Sequence, residues 1–161
     1  AAMAIYVAEA TAYHDDTLDD RADLYSEQVR TFLELGDQLL AKDYIHAQRF
    51  RSLLGKEISK IFEKVDVLAT PGTPITATPM GCEMIDINGT EDSVFSALLR
   101  NTEPFNLTGS LAVVAPCGPD GDGMPASLQI VGPAHQDGLV LNVVHAYQTA
   151  TQWHQQRPQL T

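Results

Sequence analysis

The strongest constraint on this fold lies in residues 104–132, where two short apolar runs flank a tight loop. The first run, residues 111–115, is bounded by turn-forming residues on both sides, which is typical of a short strand buried on both faces. The second run covers residues 126–131. Residues 118–125 between them are rich in Gly, Asp and Pro, which favour a sharp reversal of the chain. The segment therefore predicts strand, turn and strand at the heart of a sheet.

Helical periodicity accounts for most of the remaining chain. A short helix that Asn101 and Pro104 stop is expected, and residues 80–92 predict a loop or an irregular hairpin around Asn88-Gly89. One strand is expected before the proline-rich stretch that starts at Pro71. The predicted helices cover residues 3–14, 21–35, 39–64, 93–100 and 138–153, and the predicted strand covers residues 65–70.

Acidic residues dominate the charge of the chain. Ten basic and 21 acidic residues give a formal net charge of −11, which argues against binding a nucleic-acid backbone. Five aspartates fall within residues 14–23, but they lack the alternating ligands and closing Glu of a calcium loop. We expect residues 15–20 to form a solvated loop that ends the first helix.

The two cysteines, Cys82 and Cys117, are too few for a disulfide framework, so a reducing cytoplasm is expected. No apolar run approaches the roughly 20 residues of a membrane helix, so no membrane partner is expected. The chain begins at Ala1 inside a helical pattern without a cap, which suggests the later part of a longer protein.

Arg51 is the charged residue that the helical pattern places on an otherwise apolar face. It follows Ala47 by one turn and Tyr44 by two, on the predicted packed side of the long helix. A buried guanidinium needs a carboxylate partner or a ligand. A purely structural arginine, either snorkelling to solvent or paired with a carboxylate, is an equal alternative to a functional one.

A self-sufficient catalytic centre is not evident in the sequence. Neither the GxSxG nor the SxxK pattern of serine hydrolases occurs, and the histidines lack zinc-ligand spacing. Cys117 and His135 could form a nucleophilic pair, but a buried thiol that packs as a small apolar group explains Cys117 better.

The chain resembles the C-terminal portion of amidase signature enzymes over almost its whole length. The resemblance is carried by seven collinear motifs and an ending: Ala8-Glu9-Ala10 with His14; Asp43-Tyr44 with Ala47 and Arg51; Phe62 with Asp66-Val67-Leu68; Thr70-Pro71-Gly72-Thr73-Pro74; Asn106-Leu107-Thr108-Gly109; Ala115-Pro116-Cys117-Gly118; Gly123-Met124-Pro125 with Leu128-Gln129-Ile130-Val131-Gly132; and Trp153, Arg157 and Pro158.

The resemblance implies an α/β fold, with a mixed β-sheet flanked by helices. It also implies an amidohydrolase that cleaves a carbon–nitrogen amide bond through a Ser–Ser–Lys triad, without metal or cofactor. No residue of this chain matches the triad. Residues 1–161 are therefore expected to form the C-terminal portion of a single amidase domain, inactive alone, whose partner is the N-terminal half of the same enzyme. A homodimer stays an open alternative.

The resemblance also implies that Arg51, Tyr44 and Asn106 bind substrate. In relatives that act on carboxylate-bearing amides, the arginine at the position of Arg51 grips the carboxylate, and a planar guanidinium suits that role. The expected substrate is therefore a small-molecule amide that carries a carboxylate.

Two departures from the family pattern keep alternatives open. Leu99 stands where the glutaminase subunits of tRNA-dependent amidotransferases have an acidic residue, so a stand-alone amidase is favoured. Leu111, Ala112 and Val114 add bulk to the strand motif, which suits an altered pocket or a non-catalytic binding or scaffold domain derived from the fold. A thiol hydrolase that uses Cys117 ranks third.

Overall fold

The computed structural model describes residues 1–157. Contacts divide the chain into two compact units, Ala1–Lys56 and Glu57–Thr161, and the boundary falls within one long helix. The helices are α1 (Ala2–Arg21), α2 (Glu27–Glu34), α3 (Ala41–Phe62), α4 (Val94–Leu99), α5 (Glu103–Thr108) and α6 (Asp137–Ala150). The strands are β1 (Leu68–Pro71), β2 (Met84–Ile87), β3 (Thr90–Ser93), β4 (Leu111–Pro119) and β5 (Pro125–Gly132).

In the first unit, α1 packs against the segment that follows α2. Thr11 is buried, and its Oγ1 donates to the Leu33 carbonyl at 2.5 Å. Gly36 lies so close that a Cβ there would come within 2.0 Å of Thr11 Oγ1. The need for a glycine at position 36 therefore comes from this close approach.

The expected acidic loop is helical instead. α1 continues through residues 15–20 to Arg21, with all four aspartates of this run exposed. No Gly or Pro interrupts residues 1–35, and Leu18 is partly buried. Tertiary packing therefore extends the helix through residues whose intrinsic helix propensity is low.

In the second unit, β5 lies at the centre of a three-stranded sheet with the order β1-β5-β4. Both pairings are antiparallel, with Thr70 opposite Gln129 and Val113 opposite Ile130. Helix α6 covers one face, where Ala115, Ile130, Val140 and Val144 form the buried core. Gly132 allows this contact, because a Cβ there would lie 2.4 Å from Val140 Cγ2.

The predicted pair of strands is confirmed, but β4 is not buried on both faces. It lies at the edge of the sheet, where Val114 is 52% exposed while Ala115 is 2% exposed. The α/β class is confirmed as well, and every strand pairing within residues 1–157 is antiparallel. The apolar run looked fully buried because its outward side chains, Ala112 and Val114, are apolar too.

Residues 84–93 form a hairpin, where the sequence predicted a loop or an irregular hairpin over residues 80–92. Asn88 and Gly89 both have positive φ, 55° and 82°, as a type I′ turn between β2 and β3 requires. Ser93 then caps α4 by accepting a hydrogen bond from the Ser96 amide. Helix α5 was not expected, because Pro104 was interpreted as a stop; it lies in the first turn, where no amide donor is needed.

Pro158, the last residue of the family pattern, lies outside the described residues. Among the described helices, none combines the length and the apolar character that crossing a bilayer would demand.

Candidate functional site

A polar network joins Tyr44 and Arg51 through a residue that the sequence did not single out, Gln48. Tyr44 and Gln48 lie one turn apart on α3, and Arg51 follows three residues later, so their side chains share one face. Gln48 Nε2 donates to Tyr44 Oη at 2.9 Å, and Arg51 Nη1 donates to Gln48 Oε1 at 3.5 Å. Two of the three predicted substrate-binding residues therefore belong to one connected group.

Glu9 of α1 anchors this network. Its Oε1 accepts hydrogen bonds from Tyr44 Oη at 2.9 Å and from Gln48 Nε2 at 3.2 Å. Because two donors converge on one carboxylate oxygen, the Tyr44 and Gln48 side chains are held in defined rotamers. The signal available for Gln48 was its spacing, four residues after Tyr44 and three before Arg51.

Arg51 is exposed, contrary to its predicted place on the packed side. Ala47, one turn earlier, is 5% exposed and Ile58, two turns later, is 8% exposed, so Arg51 is an exposed position between two buried ones on α3. The guanidinium of Arg51 has Gln48 as one of its partners and belongs to an exposed residue. Such a group can bind a carboxylate or phosphate with two parallel hydrogen bonds.

Asn106 lies in the second unit, on the exposed side of α5. It lines a cavity of about 400 Å³ together with Ser110, His135 and Asp137. Gly109 ends α5 in the left-handed conformation, with φ 69°, and turns the chain into β4 beneath this cavity. Asn106 is therefore an exposed residue that lines a cavity with other polar residues.

A larger groove, about 460 Å³ in volume, was not predicted. One wall is the proline-rich segment that follows β1, and the other is formed by β5 with Cys117 of β4. The lining residues that carry a hydroxyl or thiol are Thr70, Thr73, Thr76, Cys117 and Ser127. Cys117 lines this groove, whereas His135 lines the Asn106 cavity. The two residues considered as a nucleophile and its base therefore do not share a cavity.

Three hydrogen bonds hold the proline-rich wall in place. The Gly72 amide donates to the Ser127 carbonyl at 2.9 Å, and Thr73 Oγ1 donates to the Ile75 carbonyl at 2.6 Å. Thr76 Oγ1 donates to Asp120 Oδ2 at 2.5 Å. This bond, followed by the one from the Met124 amide, lowers the pKa of Asp120 below its usual value of 3.8.

Gln129 ties the groove to the segment that leads into α5. Its side chain is 1% exposed, and its Nε2 donates to Thr70 Oγ1 and to the Asn101 carbonyl, both at 3.0 Å. Asn101 Nδ2 in turn donates to the Pro71 carbonyl at 3.1 Å. A buried amide with its donors satisfied fixes the end of β1 relative to the Asn101 turn.

Within residues 1–157, no group of three or more His, Cys, Asp or Glu side chains is arranged to hold a metal ion. The candidate site residues divide between the two units. The first unit holds the network of Glu9, Tyr44, Gln48 and Arg51, and the second holds the Asn106 cavity and the groove lined by Cys117.

Comparison with known proteins identifies relatives along nearly the whole chain. A model of the Amidase family matches residues 2–141. An Amidase from Pseudomonas putida is 37% identical over 157 residues, covering 97% of this chain and 34% of the relative. A glutamyl-tRNA(Gln) amidotransferase subunit from Picosynechococcus sp. is 34% identical, covering 98% of this chain and 34% of the relative.

Solved structures agree with the sequence matches. A crystal structure of amidase superposes with a TM-score of 0.83 at 31% identity, covering 91% of this chain and 34% of that chain. The chain thus spans about a third of the length of the curated relatives and of the solved structure that it matches.

Proposed function

Because the chain belongs to the amidase family, we propose that it is the substrate-binding side of an amidohydrolase that cleaves a carbon–nitrogen amide bond. Residues 1–161 form the C-terminal portion of a single amidase domain, and the nucleophile belongs to the part of the fold that this chain does not span. Alone, the chain is inactive. The family match and the one-third coverage of amidase relatives support this division.

The network around Arg51 is the observation that carries the substrate assignment. Glu9 holds Tyr44 and Gln48, and Gln48 supports the exposed guanidinium. In the proposal, Arg51 binds a carboxylate of the substrate through its planar fork, and Tyr44 and Asn106 are further polar contacts for substrate. Orientation by such groups lowers the entropy cost of bringing the amide to the nucleophile.

The two thiols support a proposed cytoplasmic setting. Cys82 and Cys117 are both free, and a protein with free thiols suits a reducing cytoplasm. We place the enzyme there, with a small-molecule amide as its substrate and the N-terminal half of the amidase domain as its partner.

Substitution of Arg51 by Lys in the complete enzyme tests the substrate assignment. Lysine keeps the charge but loses the bidentate geometry, so KM for a carboxylate-bearing amide should rise roughly 10-fold or more. KM for a neutral amide of the same size should change less than about 2-fold, with kcat preserved for both. Steady-state kinetics on the two substrates measures the difference.

Arg49→Lys is the matched control, because Arg49 is an exposed arginine of the same helix. It should leave KM for both substrates unchanged. Equal effects of Arg51→Lys on the acidic and neutral amides would assign Arg51 a structural role only. If the complete protein hydrolysed no amide, the alternative of a non-catalytic scaffold would be favoured. The sequence feature that supports this alternative is the bulky strand motif at Leu111, Ala112 and Val114.

A further inference from the structure

A cavity of about 570 Å³ in the second unit lies outside the candidate site. The end of β4 and the start of β5 line it on one side, and residues 153–157 line it on the other. Its described lining residues include none from the Asn106 cavity or from the groove lined by Cys117. Pockets that bind small organic molecules have volumes of roughly 300–1,000 Å³, so this cavity is large enough for such a ligand.

Most of the lining is apolar and consists of rings. Pro116 and Pro119 of β4 and Pro125 of β5 contribute their proline rings, and Trp153 contributes its indole. The indole lies against Gly118 of β4, where a Cβ would be 3.4 Å from the nearest ring atom. An aromatic ring held against a strand in this way suits stacking with the flat ring of a ligand.

One nitrogen in the lining is buried and unpaired. His154 lines the cavity, and its Nδ1 is buried without a hydrogen-bond partner within residues 1–157. Buried polar atoms are nearly always paired, because leaving one unpaired costs free energy. A ligand oxygen that accepts a hydrogen bond from Nδ1 would remove that cost.

Arg157 gives the cavity a positive charge. Its Nη1 donates to the carbonyls of His154 and Gln156 at 3.0 and 2.9 Å, which holds the guanidinium close to His154. Both bonds use the same nitrogen, and Nε and Nη2 form an edge of the planar fork that suits a carboxylate. None of the described lining residues is Asp or Glu, although the chain has 21 acidic and only 10 basic residues. The cavity therefore favours an anion.

We propose that this cavity binds a small aromatic carboxylate. The ring of the ligand lies against Trp153 and the prolines, and the carboxylate accepts hydrogen bonds from His154 Nδ1 and from the Arg157 guanidinium. A phosphate monoester fits less well, since it carries about −1.5 to −2 charges at pH 7 and Arg157 is the one permanent cation among the described lining residues. None of these residues belongs to the proposed amide-binding set, so this assignment and the proposed function can fail independently.

Fluorescence of the 161-residue chain tests this assignment, because Trp153 is its only tryptophan. Titration with benzoate should change the indole emission saturably, with a Kd of about 1 mM or lower. Benzamide, an uncharged ligand of the same size, and phenyl phosphate should each bind at least about 10-fold more weakly. The proposal is wrong if benzoate gives no saturable change up to about 20 mM, or if either of the other two ligands binds as tightly as benzoate.

Two variants locate the site while keeping Trp153 as the reporter. Arg157→Gln removes the charge and His154→Phe removes the ring nitrogens, so each should raise the Kd for benzoate roughly 10-fold. Arg157→Gln should leave the weaker binding of benzamide unchanged, which shows that the cavity itself is intact. Arg100→Gln is the matched control and should leave both Kd values unchanged, because Arg100 belongs to the same unit but pairs with Asp92 and does not line this cavity.

Unchanged benzoate affinity in either cavity variant would overturn the proposal. An equal loss of benzoate and benzamide binding in Arg157→Gln would also contradict it, because Arg157 would then shape the cavity without recognising the carboxylate.

Discussion

At the level of single residues, Asp120 connects the proline-rich wall of the groove to the β4–β5 turn. Its Oδ2 accepts from Thr76 Oγ1, and its Oδ1 accepts from the amides of Asp122 and Met124. These bonds favour the ionised carboxylate and lower the pKa of Asp120. A carboxyl whose pKa is lowered by folding stabilises the folded chain above its unfolded pKa, and the contribution is lost as pH falls through the folded pKa.

Asp120→Asn should therefore cost stability near neutral pH and little in acid. Urea unfolding of the wild type and of this variant, from about pH 7 to about pH 2.5, should give free energies that differ most at neutral pH and converge below 3.8. Thr76→Val removes the leading cause of the shift but keeps the carboxyl, so its pH dependence should be intermediate. Parallel curves for the wild type and Asp120→Asn would show that the ionisation of Asp120 is not coupled to folding.

Among the secondary-structure elements, the second half of α1 is helical in spite of its charges. Asp19 and Asp20 lie in its last turn, where the helix dipole disfavours negative charge, and each follows another aspartate by four residues. α3 has the opposite arrangement, with Asp43 in its first turn, where the dipole favours a carboxylate. The stability of α1 must therefore come from its packed residues, such as Ile5 and Thr11.

Neutralising the last turn of α1 should stabilise the chain. The double variant Asp19→Asn/Asp20→Asn should raise the free energy of unfolding by roughly 1 kcal/mol at low ionic strength, and by less at high salt. Asp43→Asn is the matched control and should lower the same quantity by roughly 0.3–1 kcal/mol. Thermal unfolding at two salt concentrations measures both effects. If both variants shift stability in the same direction, charge–dipole interactions do not govern these helices.

For the molecule as a whole, net charge separates this chain from nucleic-acid-binding proteins. With 21 acidic and 10 basic residues, its field repels a phosphate backbone. Some of its relatives are subunits of glutamyl-tRNA(Gln) amidotransferases, so tRNA is the nucleic acid with which to test this prediction.

The 161-residue chain should not bind tRNA measurably. Non-specific binding through basic patches gives Kd values of about 10⁻⁴–10⁻⁶ M, so fluorescence anisotropy at about 50 mM salt should show no saturation up to about 100 μM protein. A basic protein of similar size serves as the positive control. Saturable binding in the low micromolar range would mean that the few cations cluster into a nucleic-acid surface.

Much of the second unit follows from local sequence. Asn88-Gly89 indicated a turn in a loop or an irregular hairpin, and the structure has a hairpin there, because both positions of a type I′ turn need positive φ. Pro104 misled the prediction because proline stops a helix in its interior but is accepted in its first turn. Within the candidate site, Tyr44 and Arg51 could be named from their place in a family motif. The hydrogen bonds from Tyr44 and Gln48 to Glu9 depend on the packing of α1 against α3, which the sequence does not show.

Local sequence was enough to predict the class of the fold, the pair of strands β4 and β5, and the family, because turns, periodicity and collinear motifs are properties of short stretches of chain. Tertiary packing was needed to place β4 at the edge of the sheet and Arg51 in solvent. It was also needed to join Gln129 to Thr70 and to the Asn101 carbonyl, 28 residues away in the chain. These outcomes depend on which distant segments pack together, and neither a side chain's polarity nor its spacing encodes that choice.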